Sequence, residues 1–162
     1  MITYISKGNI FDSKMQTLVN PVNCVGVMGK GLALEFKKRY PDMFLEYVGA
    51  CRDGRLKIGN ITFHDLLNES TGVVECKIIC FPTKQHWNDT SRYEIIECGL
   101  RLIASLYEGD WQESPYTPRS LAIPALGCGL GGLSWSIVKK LIQKRLGNID
   151  IPIEVYEPKD WE

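Results

Sequence analysis

Neither sign of charge dominates this chain, in which nineteen lysines and arginines stand against nineteen aspartates and glutamates. That balance excludes a global field for polyanions or membrane surfaces, so any contact with nucleic acid must be local and short. Histidine is scarce, with only His64 and His86, and the six cysteines (24, 51, 76, 80, 98 and 128) form no Cys-x-x-Cys pair. A ligand-spaced zinc set is therefore excluded, and neither a metal nor a cofactor is expected. No apolar run approaches the ~20 residues that cross a bilayer, and Met1 to Lys7 has no basic-then-apolar leader pattern. The expectation is a soluble cytoplasmic protein with reduced thiols and no membrane partner. Repeats and low-complexity tracts are also missing, and 162 residues suit one domain over positions 1–162.

Short β-rich segments alternate with helical patterns. Strands are predicted at 2–6, 17–20, 60–66, 73–81, 120–123 and 153–156. Helices are predicted at 32–40, stopping before Pro41, from Asp42 as cap to Arg52, at 91–106, and from Ser134 as cap to 146. In the third helix Ile95, Cys98, Leu102 and Leu106 recur at three- and four-residue steps, predicting the face that packs on the sheet. The polar stretch from Gly109 to Arg119, with Trp111, Pro115, Tyr116 and Pro118, reads as an exposed connection. This alternation predicts an α/β fold, a three-layer α/β/α sandwich whose ligand would sit beyond the carboxyl ends of the strands.

Glycine is concentrated at two such ends. The segment Asn20-Pro-Val-Asn-Cys-Val-Gly-Val-Met-Gly-Lys-Gly31 runs from a strand through a glycine loop into a helix, and Pro124-Ala-Leu-Gly-Cys-Gly-Leu-Gly-Gly-Leu-Ser-Trp135 repeats that arrangement. Glycine lets backbone approach a ligand closely, and a helix start offers unpaired N–H groups to an anion. One such loop alone is more often just a turn; two together point to a diphosphate. Neither has a Walker lysine pattern or the Gly-x-Gly-x-x-Gly spacing of dinucleotide folds, which disfavours an ATPase or a Rossmann dehydrogenase. Cys24 and Cys128 lie in the loops without a histidine placed to activate them, so they read as small loop fillers. Paired carboxylates of the glycosidase kind are absent from both loops.

Gly8-Asn9-Ile10, the 20–31 loop with Asn23 and the 127–133 loop resemble a macrodomain, the ADP-ribose-binding module, over essentially the whole chain. The strings Gly26-Val-Met-Gly-Lys-Gly-Leu-Ala-Leu-Glu-Phe-Lys37, Phe81-Pro-Thr-Lys-Gln-His-Trp87 and Gly127-Cys-Gly-Leu-Gly-Gly-Leu-Ser-Trp135 are similar to the DarG-type branch, antitoxins paired with a DarT-like DNA ADP-ribosyltransferase. A weaker likeness is to the human terminal ADP-ribose protein glycohydrolase of the same branch. The resemblance implies a mixed sheet of about six strands. It places adenine on Asn9 and Ile10, and the distal ribose and a phosphate on Asn23 and the turn Val25, Gly26, Val27, Met28, Gly29 and Gly31. Thr83 joins the ligand set, and Gly127, Cys128, Gly129, Leu130, Gly131, Gly132 and Leu133 wrap the diphosphate. Lys84 stands at the catalytic lysine.

Two departures from the family pattern are visible. Asn9 replaces the aspartate that commonly receives the adenine amine, though its carbonyl can still accept that hydrogen bond. Gly131 stands where the human enzyme has an aspartate beside its lysine. Lys84 therefore works with less help, either as a neutral amine attacking the anomeric carbon or as a cation assisting the leaving group. His86, Trp87 and Arg92 could form an aromatic and basic lip for an exposed base.

The implied function is removal of ADP-ribose from a modified nucleobase, thymidine in single-stranded DNA. A phosphatase acting on ADP-ribose 1″-phosphate and a non-catalytic ADP-ribose or nucleotide-signal module are the alternatives. DarG-type antitoxins carry a toxin-binding domain after the macrodomain and none follows Trp161-Glu162, so the expectation is either a piece of a longer protein or an enzyme acting by reversal alone.

Overall fold

The computed structural model describes residues 1–109 and 114–159, so Trp111 of the predicted connection lies outside the described residues. The elements are β1 (Ile2–Ile5), a 3-10 turn at Ile10–Asp12, β2 (Thr17–Val22), α1 (Gly31–Arg39), α2 (Pro41–Arg52), β3 (Thr62–Leu67), β4 (Val74–Pro82), α3 (Tyr93–Ser105), β5 (Leu121–Pro124), α4 (Trp135–Leu146) and β6 (Ile153–Tyr156). The described strands form one mixed sheet in the order β1-β6-β5-β2-β4-β3, parallel throughout except for the β4–β3 edge pair.

Strand β4 shows why the sheet needs cover on both faces. Ile78 and Cys80 enter a core with Leu18, Phe36, Met43 and Tyr47 from the α1–α2 side, while Ile79 and Phe81 enter a second core with Ile96, Leu100, Ile103 and Val138 from the α3–α4 side. Alternate residues of a strand face opposite ways, so a continuous apolar run is the mark of a sheet buried twice over. The result is the expected three-layer sandwich.

Three local expectations are corrected. The buried stripe of α3 is Ile96, Gly99, Leu100 and Ile103, while Ile95, Cys98, Leu102 and Leu106 are only partly buried at its side. The reason is Gly99: a Cβ there would run into the Phe81 ring, so the helix seats its glycine on that ring and turns the neighbouring apolar row aside. Asp42 lies in the first turn of α2 behind Pro41, with Tyr40 at the cap position, since proline pre-sets the φ of a first helical residue. Ser134, by contrast, occupies the cap position of α4 as expected, though without a capping bond, its hydroxyl lying 3.0 Å from that of Ser136. In the 114–119 stretch Thr117 and Pro118 are buried, and the Tyr107 hydroxyl donates to the Pro118 carbonyl at 2.7 Å.

One feature of the sheet opens the site. Strands β2 and β5 are paired only at Thr17–Leu121 and Leu18–Ala122, whereas β2 stays paired with β4 as far as Val22–Pro82. Thr17 donates toward β5, to the Ser120 carbonyl at 3.2 Å. By the alternation of a parallel ladder Pro21 would also face β5, and its missing N–H falls where that ladder has already ended. The β2–β5 ladder thus ends four residues before β2 itself does, at the carboxyl end of the sheet where the two glycine loops begin and where ligands of open α/β sheets lodge in a crevice.

Candidate functional site

The parallel strands β1, β2, β4, β5 and β6 end at the same edge, which brings the loops after four of them together: 6–9, 23–30, 83–92 and 125–134. The two glycine loops face each other across the crevice, with the Leu130 Cδ1 atom 3.6 Å from where a Cβ on Gly31 would stand.

Asn23 builds the first loop. Its side-chain carbonyl accepts from the N–H groups of Val25 at 3.1 Å and Val27 at 3.4 Å, and its amide donates to the Val27 carbonyl at 2.7 Å. From α2 the Tyr47 hydroxyl reaches both Asn23 oxygens, at 2.9 Å from the backbone carbonyl and 2.8 Å from the side-chain oxygen. Burial pushes the Tyr47 phenol far up, so it remains protonated and donates. Asn23 is 6% exposed. Its side chain shapes the loop, leaving one amide hydrogen for a ligand. Gly26 turns the loop at a φ of 80°, a conformation side chains rarely adopt. The Met28 side chain is buried beside Asn20, so at this position only backbone can face a ligand. Val25 and Val27 are exposed on the rim, as are Gly29 and Gly31. The loop's backbone bonds leave the N–H groups of Met28, Gly29 and Lys30 free to point at an anion.

Backbone builds the second loop. Cys128 donates to the Ala125 carbonyl at 3.1 Å, Gly132 to that of Gly129 at 3.2 Å and Leu133 to that of Gly127 at 2.9 Å, with Gly127 at a φ of 73°. None of these bonds uses the N–H of Gly129, Leu130 or Gly131. Three successive donors at a glycine turn form an anion-binding concavity. Gly131 must lack a side chain, because a Cβ there would strike the Ser91 hydroxyl and the Gly127 carbonyl. No aspartate fits at this point without moving Ser91.

The segment from 83 to 91 ties both loops together. The Thr83 N–H extends the β4–β2 ladder to the Val22 carbonyl at 2.9 Å, and its hydroxyl lies 3.5 Å from the same oxygen, so the Thr83 side chain is buried in the sheet rather than offered to a ligand. Next in sequence, the Cys24 N–H donates to the Gln85 carbonyl at 2.9 Å and the Cys24 thiol to that of Lys84 at 3.6 Å. At the far end the Ser91 N–H donates to the Gly131 carbonyl at 2.9 Å. Lys84 is thus carried on backbone anchored to the first loop, on a segment anchored to the second. Among the described residues the ion pairs do not include it.

Beyond Lys84 the lip is ordered by its own side chains. The Asp89 carboxylate accepts from the His86 N–H at 2.9 Å, the His86 ring contacts the Asn88 side-chain oxygen at 2.5 Å, and the His86 and Trp87 rings are 5.2 Å apart. Trp87 is 52% exposed. Arg92 is exposed and lies 3.9 Å from Glu94. At the β1 end the Asn9 side chain accepts from the Phe11 N–H at 3.0 Å and opens the 3-10 turn, while Ile10 is buried beneath it. The Asn9 oxygen keeps a second lone pair. Burial raises both loop thiols, Cys24 and Cys128, to about 11, opposite to what a nucleophile needs.

A family model described as "Macro domain" matches residues 19–142. The chain belongs to the macrodomain family. It is 42% identical over 154 residues to a DNA ADP-ribosyl glycohydrolase of Thermus aquaticus, covering 94% of this chain and 40% of that protein. The solved macrodomain of Thermus aquaticus DarG superimposes with a TM-score of 0.85 at 41% identity, covering 98% of this chain and 99% of the other. Thermosipho africanus DarTG in complex with ADP-ribose gives a TM-score of 0.88 at 37% identity, covering 99% of this chain and 42% of that one. This macrodomain spans about 40% of the length of the curated relatives it matches.

Two residues of the macrodomain site carry no motif in the sequence. Tyr47 could have been suspected, since it lies four residues after buried Met43 and a buried tyrosine needs a partner for its hydroxyl. The contact of Ser91 with Gly131 spans forty residues and left no signal.

Proposed function

We propose that this macrodomain is an ADP-ribosyl hydrolase that removes ADP-ribose from a modified nucleobase, with thymidine in single-stranded DNA as substrate and Lys84 as the catalytic group. One observation carries the reading: Lys84 is anchored between two glycine loops that present free N–H groups, so a diphosphate seated on those loops brings its attached ribose toward the lysine. Adenine extends to Asn9 and Ile10, the diphosphate lies on 127–133, and the distal ribose meets the Asn23 loop.

At the anomeric carbon the bond to the base nitrogen breaks. A neutral Lys84 amine attacks that carbon and forms a C–N bond while the departing base takes up a proton; water then displaces the lysine and yields free ADP-ribose. In its cationic form Lys84 instead donates its proton to the departing base as water attacks. Borohydride treatment during turnover separates the two: in the first route the lysine adduct can open its ribose ring to an imine, the ring oxygen taking a proton, and reduction of that imine leaves ADP-ribose fixed on Lys84.

Trp87, His86 and Arg92 supply a stacking surface and donors for the base, and the absence of net charge fits contact with a few nucleotides. A DarT-like DNA ADP-ribosyltransferase is the partner that supplies the substrate. In support, a relative from Thermosipho africanus, 38% identical over 164 residues, is named a DNA ADP-ribosyl transferase-DNA ADP-ribosyl glycohydrolase fusion protein.

The test is a substrate panel: ADP-ribosylated thymidine DNA, ADP-ribosylated guanosine DNA, glutamate-linked protein and ADP-ribose 1″-phosphate. Turnover of the thymidine DNA above the others is expected. Phosphate release from the last compound alone would replace the reading with a phosphatase, and ADP-ribose binding without any turnover with a binding module.

A further inference from the structure

Ser91 is 5% exposed, yet its hydroxyl has no hydrogen-bond partner. It lies under the second glycine loop, touching the point where a Gly131 Cβ would stand, and its own Cβ is 3.1 Å from the corresponding point on Gly127. A buried hydroxyl without a partner destabilises the state that contains it. The loop above it holds three N–H groups outside its own bonding, and the Leu130 carbonyl likewise takes part in none of the loop's backbone bonds.

These facts are linked by the geometry of one peptide. The Leu130 carbonyl and the Gly131 N–H belong to the same trans peptide plane and point opposite ways. If a phosphate in the crevice draws the Gly131 N–H outward, the Leu130 carbonyl turns inward, toward the Ser91 hydroxyl beneath Gly131. We propose that Ser91 is a positioning residue for the second loop, whose hydroxyl finds its acceptor, the Leu130 carbonyl, only when a diphosphate is bound. The free site then carries an unsatisfied group that binding satisfies, and that difference between the two states adds to affinity for the diphosphate. The inference rests on the reading of ADP-ribose as the ligand.

Ser91→Ala tests it through two quantities that a merely structural residue would move together. For the free protein the melting temperature should stay level or rise, since a buried unsatisfied hydroxyl is removed. For ADP-ribose the dissociation constant should rise by roughly five- to tenfold, the loss of one hydrogen bond made only in the bound state. Amide exchange at Gly131 should slow when ADP-ribose binds the unmodified protein, and slow less in the variant. Unchanged affinity in Ser91→Ala overturns the proposal. So does a fall in the melting temperature of the free variant, which would mean that the hydroxyl already has a partner, such as a buried water. Absence of any ADP-ribose binding by the unmodified protein instead overturns the ligand reading.

Discussion

The two glycine loops look alike in sequence and are held by different means. The first is braced by side chains: Asn23 makes three bonds to its own loop, and Tyr47 locks Asn23 from α2. The second is held by its own backbone and rests on Ser91, with three N–H groups unused. A braced loop presents a fixed surface, whereas a backbone-held loop of glycines can turn its peptide planes. The difference suggests a division of labour in which the first loop sets where the ribose lies and the second adjusts to the diphosphate.

The most damaging way to break that contrast is Asn23→Ala. It strips the first loop of its brace and takes from the Tyr47 hydroxyl its side-chain acceptor, at a cost of about 3 kcal/mol, seen as a melting point lower by roughly 6–12 °C. A shift below about 2 °C would show that the loop holds itself. Gly131→Asp comes next, forcing a side chain into the space of the Ser91 hydroxyl. Calorimetry should find ADP-ribose bound roughly thirtyfold more weakly, matching about 2 kcal/mol of overpacking; undiminished binding would mean the second loop has room that its contacts deny.

Tyr47→Phe sharpens the comparison more gently, since it removes the bonds to Asn23 and the contact with the Cys51 thiol but leaves the ring in place. A loss of about 1–1.5 kcal/mol in denaturant unfolding is expected, with the second loop's amide exchange unaffected. The thiols give the smallest effect. With Cys24 and Cys128 raised to about 11, each is protonated at pH 8, and alkylation by iodoacetamide should be slow and accelerate roughly tenfold per pH unit until that value. Each thiol favours the folded state below its ordinary value of 9.0, and that contribution fades as pH climbs through about 11. Fast labelling of either cysteine at pH 7 would contradict the buried setting, and Cys128→Ser should leave turnover within about twofold.

Much of this was legible in the sequence because it is local. Strand and helix order follow from periodicity and from Pro41, and both loops announce themselves by glycine. What was hidden depends on partners far along the chain. The buried face of α3 is decided by Phe81 meeting Gly99, not by the apolar row at Ile95 and Leu102. Asn23 reads from the sequence as a ligand contact, whereas its second part, bracing the loop with Tyr47 from twenty-four residues away, left no mark there. Thr83 and Met28 fall inside the predicted ligand set, but their side chains are buried, one against the Val22 carbonyl and one beside Asn20. The early end of the β2–β5 ladder, after Leu18 and Ala122, is a register that no single segment encodes.

Lys84→Ala, assayed on an oligonucleotide carrying ADP-ribosylated thymidine, tests the central claim most directly. With binding assigned to the loops in the proposed function, ADP-ribose affinity should stay within about threefold of the unmodified protein, while hydrolysis falls by roughly a hundredfold or more, the scale of a lost acid, base or nucleophile. Turnover at the unmodified rate in Lys84→Ala would contradict the account.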